Sequence, residues 1–121
     1  MGIPHKPIAL VVEDDELQRE MIVLLLEESD MNVIQCESAE AAALVLDSVG
    51  GALSLMFTDI NLAGAMTGVE LAHLAKREYP RLHVIVTSGA VQNARLPPGA
   101  TFLPKPWMAL DVLREAERAQ H

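Results

Sequence analysis

Five short apolar runs alternate with longer amphipathic segments along the chain. The runs at 8–12, 32–36, 53–58, 83–87 and 101–103 contain few polar residues, which is typical of strands buried on both faces. The segments at 15–28, 39–48 and 68–78, and a last one from near 107 to 119, predict helices. Strands that alternate with helices in this way predict a parallel sheet with helices on both faces.

Local signals support these helices. Ser38 is suited to cap the second helix, and Pro80 stops the third. The first helix has apolar residues at helical spacing, which predicts that it is amphipathic: Leu17, Met21, Leu24 and Leu25. Trp107 is expected to anchor the last helix by packing. The acidic residues Glu115 and Glu117 are expected on a solvated helix face.

Composition narrows the class of protein. A chain of 121 residues suits one domain, here residues 1–121 with no second domain. The net charge of −8 and the lack of a basic run argue against direct nucleic-acid binding. No apolar stretch approaches the ~20 residues of a membrane span, so no membrane association is expected. The single cysteine, Cys36, excludes an intrachain disulfide and indicates a reducing compartment, the cytoplasm.

Four of the predicted strands end in residues suited to phosphoryl chemistry. These residues are Glu13-Asp14-Asp15, Asp59, Thr87-Ser88-Gly89 and Pro104-Lys105-Pro106. The carboxyl ends of parallel strands share one edge of a sheet, so Glu13, Asp14 and Asp59 converge if strands one and three are neighbours. Clustered carboxylates repel one another, and a divalent cation relieves that repulsion. A few oxygen ligands with retained waters are typical of Mg²⁺.

The remaining groups complete a site for phosphoryl transfer. Lys105 offers a flexible positive charge for a phosphate oxygen, and the Ser88 hydroxyl can donate to another. Asp59 can itself be the nucleophile and form an aspartyl phosphate. Such a transfer needs mainly positioning and charge neutralisation.

Four stretches carry a family resemblance: VVEDDE, MFTDINL, VTSG and LPKPW, in this order on alternating strands and helices. Together they resemble the receiver domain of two-component response regulators, of the chemotaxis-regulator-like kind. The resemblance covers essentially the whole chain. It implies a flavodoxin-like three-layer sandwich with a five-stranded parallel sheet in the order 2-1-3-4-5. Since no output domain follows, the chain resembles a stand-alone receiver or one excised from a hybrid protein.

The resemblance also implies roles for the acidic residues. Asp59 would be the phosphoacceptor. Asp14 and Asp59 would ligate Mg²⁺ directly, together with the backbone carbonyl of Asn61, and Glu13 would act through water. Asp15 falls one place beyond the acidic pair and is interpreted as a helix N-terminal acid.

The other matched positions concern catalysis and switching. Lys105 matches the lysine of the motif, and its bond to Pro106 is expected to be cis. Ser88 matches the hydroxyl that follows the phosphoryl group. Phe102 matches the aromatic switch position.

Two departures from the family pattern stand out. Ala63 lies where the family often has proline. Only sixteen residues separate Ser88 from Lys105, so the fourth helix of the family should be short or missing. In the family this helix belongs to the signalling face, so the usual dimerisation and output geometry does not transfer directly.

The leading hypothesis is a receiver that takes a phosphoryl group on Asp59 from a histidine kinase or phosphotransfer protein and signals to a downstream protein. It would catalyse only its own phosphorylation and slow dephosphorylation, and would not otherwise be an enzyme. One alternative is a phosphorylation-independent adaptor. A second is an aspartyl-nucleophile phosphatase, disfavoured because Asn61 stands where a second acid is needed. Nucleotide binding is disfavoured because no glycine-rich loop follows the first strand.

Overall fold

A five-stranded parallel sheet in the order β2-β1-β3-β4-β5 forms the centre of the molecule. The computed structural model describes residues 6–90 and 94–120. The strands are β1 (Ile8–Val12), β2 (Asn32–Cys36), β3 (Leu53–Asp59), β4 (His83–Ser88) and β5 (Thr101–Pro104). The helices are α1 (Glu16–Glu28), α2 (Ala39–Val49), α3 (Gly68–Glu78) and α4 (Ala109–Ala119). The predicted fold and strand order are confirmed.

The sheet separates two apolar cores because successive strand residues point to opposite faces. On one face, Leu10 and Val12 of β1 pack in a cluster with α2 and α3. On the other, Ala9 and Val11 pack in a cluster with α1 and α4. Trp107 joins the second cluster, and its ring meets that of Phe57 edge-on with centroids 6.0 Å apart. Its predicted packing role is confirmed.

Helix α1 is amphipathic, but its buried stripe differs from the one that the leucine spacing indicates. Leu17, Met21 and Leu24 are exposed, and Leu17 retains 77% of its surface. The helix instead buries Ile22, Val23 and Leu26. Apolar residues occur almost all around this helix, so periodicity alone does not select the stripe that meets the sheet.

The prediction that Glu115 lies on a solvated face is wrong, whereas Glu117 is exposed as expected. Glu115 is only 5% exposed, and its carboxylate lies 2.9 Å from Nε2 of His83 at the start of β4. Arg118 of the same helix binds its other oxygen. A buried carboxylate is tolerated when it is paired in this way. His83 is remote in sequence, so the charge pattern of the helix alone does not reveal the pairing.

No helix lies between β4 and β5 among the described residues, in agreement with the predicted short or missing fourth helix. Residues 91–93 of this connection lie outside the described part. Phe102 of β5 is 36% exposed, which fits a sheet edge that no helix of the described residues between β4 and β5 covers. In the described ranges, no helix combines the length and apolar character needed to cross a membrane.

The first residue of helix α3 is in close contact with the end of β3. Thr67 and Glu70 form a reciprocal capping box at its first turn. The amide of Gly68 donates to the carbonyl of Ile60 at 3.0 Å. A methyl group on Gly68 would overlap the backbone carbonyl of Asp59. Only glycine allows this close approach between helix and strand.

Gly68→Ala should therefore destabilise the protein by about 2 kcal/mol, since backbone atoms must move apart to admit the methyl group. Urea unfolding measures the change in the free energy of unfolding. Gly51→Ala is the matched control, because nothing lies within 4 Å of its added carbon. That control should change stability by less than about 0.5 kcal/mol. Equal effects of the two substitutions would contradict the packing argument.

Candidate functional site

The parallel register brings four strand ends to one edge of the sheet. β3 lies between β1 and β4, and β4 lies between β3 and β5. The last paired positions along this edge are Val12 with Thr58, Asp59 with Thr87, and Ser88 with Pro104. Glu13 and Lys105 follow directly after two of these positions. The predicted convergence of the strand ends is present in the structure.

Lys105 joins the ends of β1, β3 and β5. Its ammonium nitrogen Nζ lies 2.7 Å from Oδ2 of Asp59 and 3.4 Å from Oε1 of Glu13. A third acceptor is Oε1 of Gln18, at 2.6 Å. Sequence reasoning missed Gln18, because a polar residue in a first helical turn gives no sign of where it points. The peptide bond from Lys105 to Pro106 is cis, as expected.

Glu13 is a buried carboxyl group, only 1% exposed. Burial raises its pKa to about 7, and the charge of Asp59 adds to the rise, while the Asp15 amide and Lys105 oppose it. For Lys105, burial acts to lower the pKa, but the hydrogen bond and charge of Asp59, helped by Glu13, outweigh it and raise the pKa. Lys105 therefore stays protonated, and the site keeps this positive charge.

The loop that follows β3 is tied to the acidic residues by its backbone amides. Asn61 donates its amide to Oδ1 of Asp59 at 3.0 Å, and Ala63 donates to Oδ2 of Asp14 at 3.2 Å. Asp14 and Asp59 thus hold successive parts of one short loop. The carbonyl of Asn61 belongs to this same segment.

A third acid, Glu40 in the first turn of α2, binds the same loop at Ala65. Its Oε2 accepts the amide of Ala65 at 3.0 Å, next to Gly64, whose φ of 110° favours glycine. Hydrogen bonds from its own amide and from that of Ala65 lower the pKa of Glu40. Sequence reasoning missed Glu40, because its target lies 25 positions away.

The remaining predicted residues take different positions. Asp15 caps α1 by accepting the amide of Gln18 at 2.9 Å, which confirms its reading as a helix-terminal acid. Ser88 is 1% exposed, and its Oγ lies 3.5 Å from Nδ2 of Asn61, at the edge of the cluster. Phe102 pairs with Val86 in the sheet and stays partly exposed.

The donor set fits a magnesium ion. In the described part of the chain, no cluster of three or more His, Cys, Asp or Glu side chains forms a metal site by side chains alone. The predicted ligands are two carboxylates, Asp14 and Asp59, and one backbone carbonyl, that of Asn61. All are hard oxygen donors, as Mg²⁺ prefers, and leave positions for water. Two carboxyl groups, those of Asp59 and Glu13, face the single ammonium of Lys105, and the carboxylate of Asp14 binds the neighbouring loop, so acidic groups outnumber the cation at this edge.

Comparison with known proteins assigns the class. The family model described as the response regulator receiver domain matches residues 9–116. The chain belongs to this family, whose members are signalling modules of two-component systems.

Individual relatives agree with this assignment. The response regulator protein FleR of Pseudomonas aeruginosa is 37% identical over 109 residues, which cover 86% of this chain and 22% of FleR. The chain thus spans about a fifth of that relative.

Two solved structures show the same fold. A response regulator receiver protein from Sinorhizobium medicae superposes with a TM-score of 0.85 at 20% identity, with 94% of each chain covered. The receiver domain of NtrX from Brucella abortus has a TM-score of 0.76 at 26% identity, with 92% of this chain and 96% of that chain covered.

The raised pKa of Glu13 predicts how stability depends on pH without magnesium. The folded protein holds the Glu13 proton up to about pH 7, whereas the unfolded chain releases it near the ordinary value of 4.5. The Glu13 contribution to stability therefore falls as the pH rises between these values. Glu13→Gln mimics the protonated form, so at about pH 8 it should exceed the wild type in unfolding free energy by on the order of 2 kcal/mol.

At about pH 5 the two proteins should differ little. Urea unfolding at both pH values in chelator-treated buffer measures the difference. Glu28→Gln, on the exposed face of α1, is the control and should show no pH-dependent gain. If Glu13→Gln raised the free energy of unfolding equally at both pH values, the raised pKa of Glu13 would not be the cause.

Proposed function

We propose that this receiver accepts a phosphoryl group on Asp59 from the phosphohistidine of a histidine kinase or phosphotransfer protein, with Mg²⁺ as cofactor. The observation that carries the proposal is the contact of 2.7 Å between Nζ of Lys105 and Oδ2 of Asp59, at the edge where four strand ends meet. Family membership supports two-component signalling in general. The particular phosphoacceptor rests on this geometry.

The transfer is a displacement at phosphorus. A carboxylate oxygen of Asp59 attacks the phosphorus atom, and the bond between phosphorus and the histidine nitrogen breaks. The electron pair of that bond stays on the imidazole, which takes up a proton. The product is an acyl phosphate on Asp59, with a free histidine on the donor.

The surrounding residues prepare this step. The Asn61 amide and Lys105 fix the two oxygens of Asp59, which is 6% exposed, so the carboxylate is oriented before the donor arrives. Lys105 can then neutralise a phosphoryl oxygen. Asp14, Asp59 and the Asn61 carbonyl would hold the ion directly, and Glu13 through water. When bound, Mg²⁺ would supply further neutralisation of phosphoryl charge.

Signal output follows from the new charge. A phosphoryl group adds strong hydrogen-bond acceptors, and the Ser88 hydroxyl is the nearby donor proposed to follow them. At present Oγ of Ser88 accepts the amide of Ala90 at 3.2 Å, so its movement would alter the start of the β4–β5 connection. Phe102 would move with this connection. A downstream protein would read the shifted equilibrium between the two conformations.

Incubation with acetyl phosphate and Mg²⁺ should increase the intact mass by one phosphoryl group, because a small phosphodonor can replace phosphohistidine. The increase should disappear in Asp59→Asn and on addition of a chelator. Asp47→Asn, which changes an exposed aspartate on α2, should label like the wild type. Equal labelling of Asp59→Asn would show that another residue is the acceptor.

A phosphorylation-independent adaptor is the second candidate, and one observation favours it. The described residues contain no helix between β4 and β5, although the corresponding helix of the family belongs to its signalling face. The aspartyl-phosphatase alternative has no such support, since Asn61 provides no second acid.

Beryllofluoride, a mimic of the phosphoryl group, separates the switch from the adaptor. For the switch, the set of proteins captured by the receiver, or their affinity, should change by about tenfold with Mg²⁺ and beryllofluoride, since each factor of ten requires only about 1.4 kcal/mol of differential binding. Asp59→Asn, which should not hold the mimic, is the control. Equal capture with and without beryllofluoride by the wild type would favour the adaptor.

A further inference from the structure

Gln18 has a contact that the family motifs do not assign. Its side-chain oxygen Oε1 lies 2.6 Å from Nζ of Lys105, closer than either carboxylate oxygen that faces the same ammonium. Gln18 comes from α1, and Lys105 comes from the end of β5, 87 positions later. The contact therefore ties the first helix to the loop beyond the last strand.

The local structure holds Gln18 in place for this contact. Its backbone amide is bound by Oδ1 of Asp15, the cap of α1. The amide of Asp15 in turn donates to Oε2 of Glu13 at 3.1 Å. A chain of hydrogen bonds thus connects the buried end of β1 to the turn of α1 that carries Gln18.

If the contact with Gln18 is lost, the side chain of Lys105 has space to move away from Asp59. A surface groove of about 460 Å³ adjoins it, lined also by Gln18, Met21, Gly89, Pro106 and Trp107. A lysine has a flexible four-carbon stem, so its ammonium can turn into such a groove and become hydrated. The hydrogen bond to Oε1 of Gln18 limits the side chain of Lys105 to conformations that keep its ammonium near Asp59.

We propose that Gln18 is a positioning residue that holds the Lys105 ammonium within reach of Asp59, and this rests on the proposed function of that pair. The chemistry of the amide suits the task. An amide oxygen accepts from the ammonium without neutralising it, so the full positive charge stays available to a phosphoryl oxygen. A carboxylate in the same place would compete with the phosphoryl group for that charge.

The chain has three lysines, Lys6, Lys76 and Lys105, so trace acylation followed by peptide mass spectrometry can report on each separately. In magnesium-free protein, Gln18→Met should increase the acylation of Lys105 several-fold relative to Lys6 and Lys76, because the amine turns into the groove. Gln18→Glu keeps an acceptor oxygen and should restore the low reactivity. Gln35→Met is the matched control: it removes an exposed glutamine whose Oε1 accepts from Arg19 instead.

The second readout is the rate of phosphorylation by acetyl phosphate at saturating Mg²⁺. Gln18→Met should slow it about tenfold, the effect of losing one hydrogen bond to a charged group. The affinity for Mg²⁺ should change by less than about twofold, because Gln18 contacts none of the proposed ligands. A merely structural role would instead lower the unfolding midpoint and leave the relative acylation of the three lysines unchanged.

The two proposals fail in different ways. Unchanged Lys105 acylation in Gln18→Met would overturn the role of Gln18, whatever the phosphorylation result. Absence of Asp59 labelling in the wild type would overturn the proposed function. The acylation pattern would still test whether Gln18 holds Lys105 in position. A tenfold slower transfer without a change in acylation would also contradict positioning through Lys105.

Discussion

The ion pair between Lys105 and Asp59 is the interaction on which the site depends. It joins the ends of β3 and β5, which flank β4 in the sheet, and it compensates a carboxylate that the fold has buried. Glu13 stands beside the pair, and its pKa near 7 reflects burial and its proximity to Asp59. At this edge of the sheet, Lys105 therefore neutralises part of the carboxylate charge, and some negative charge remains. Such an arrangement is suited to binding a divalent cation and to transferring a charged group.

Close packing and hydrogen bonds hold the backbone around this pair from several sides. Gly68 lets α3 approach the Asp59 backbone, so the strand end cannot move without moving the helix. Glu40 holds the loop after β3 from the side of α2, and Asp14 holds it from the side of β1. Two helices and two strands thus fix one short loop. Preorganisation of this kind would reduce the entropy that must be lost in the proposed phosphoryl transfer.

The residues that end each strand were predictable from the sequence, because the pattern that marks them lies in adjacent positions. A buried strand is an apolar run, and the first charged residue after it marks the edge of the sheet, as at Glu13 and Asp59. Two residues of the site were not predictable, Gln18 and Glu40, since each acts on a partner far along the chain. Glu115 was misread for the same reason, because its partner His83 lies on another element.

The order of strands and helices, the parallel sheet and the residues that close each strand can be read from the amino-acid sequence, because hydrophobic periodicity and strand boundaries are properties of neighbouring positions. The side of α1 that faces the sheet is set only by packing in the folded molecule, which leaves Leu17 and Met21 in solvent. The same packing sets which polar groups meet: Gln18 with Lys105, Glu40 with the loop after β3, and Glu115 with His83. A pairing between distant side chains depends on how the helices rotate and pack, and local spacing leaves that rotation undetermined.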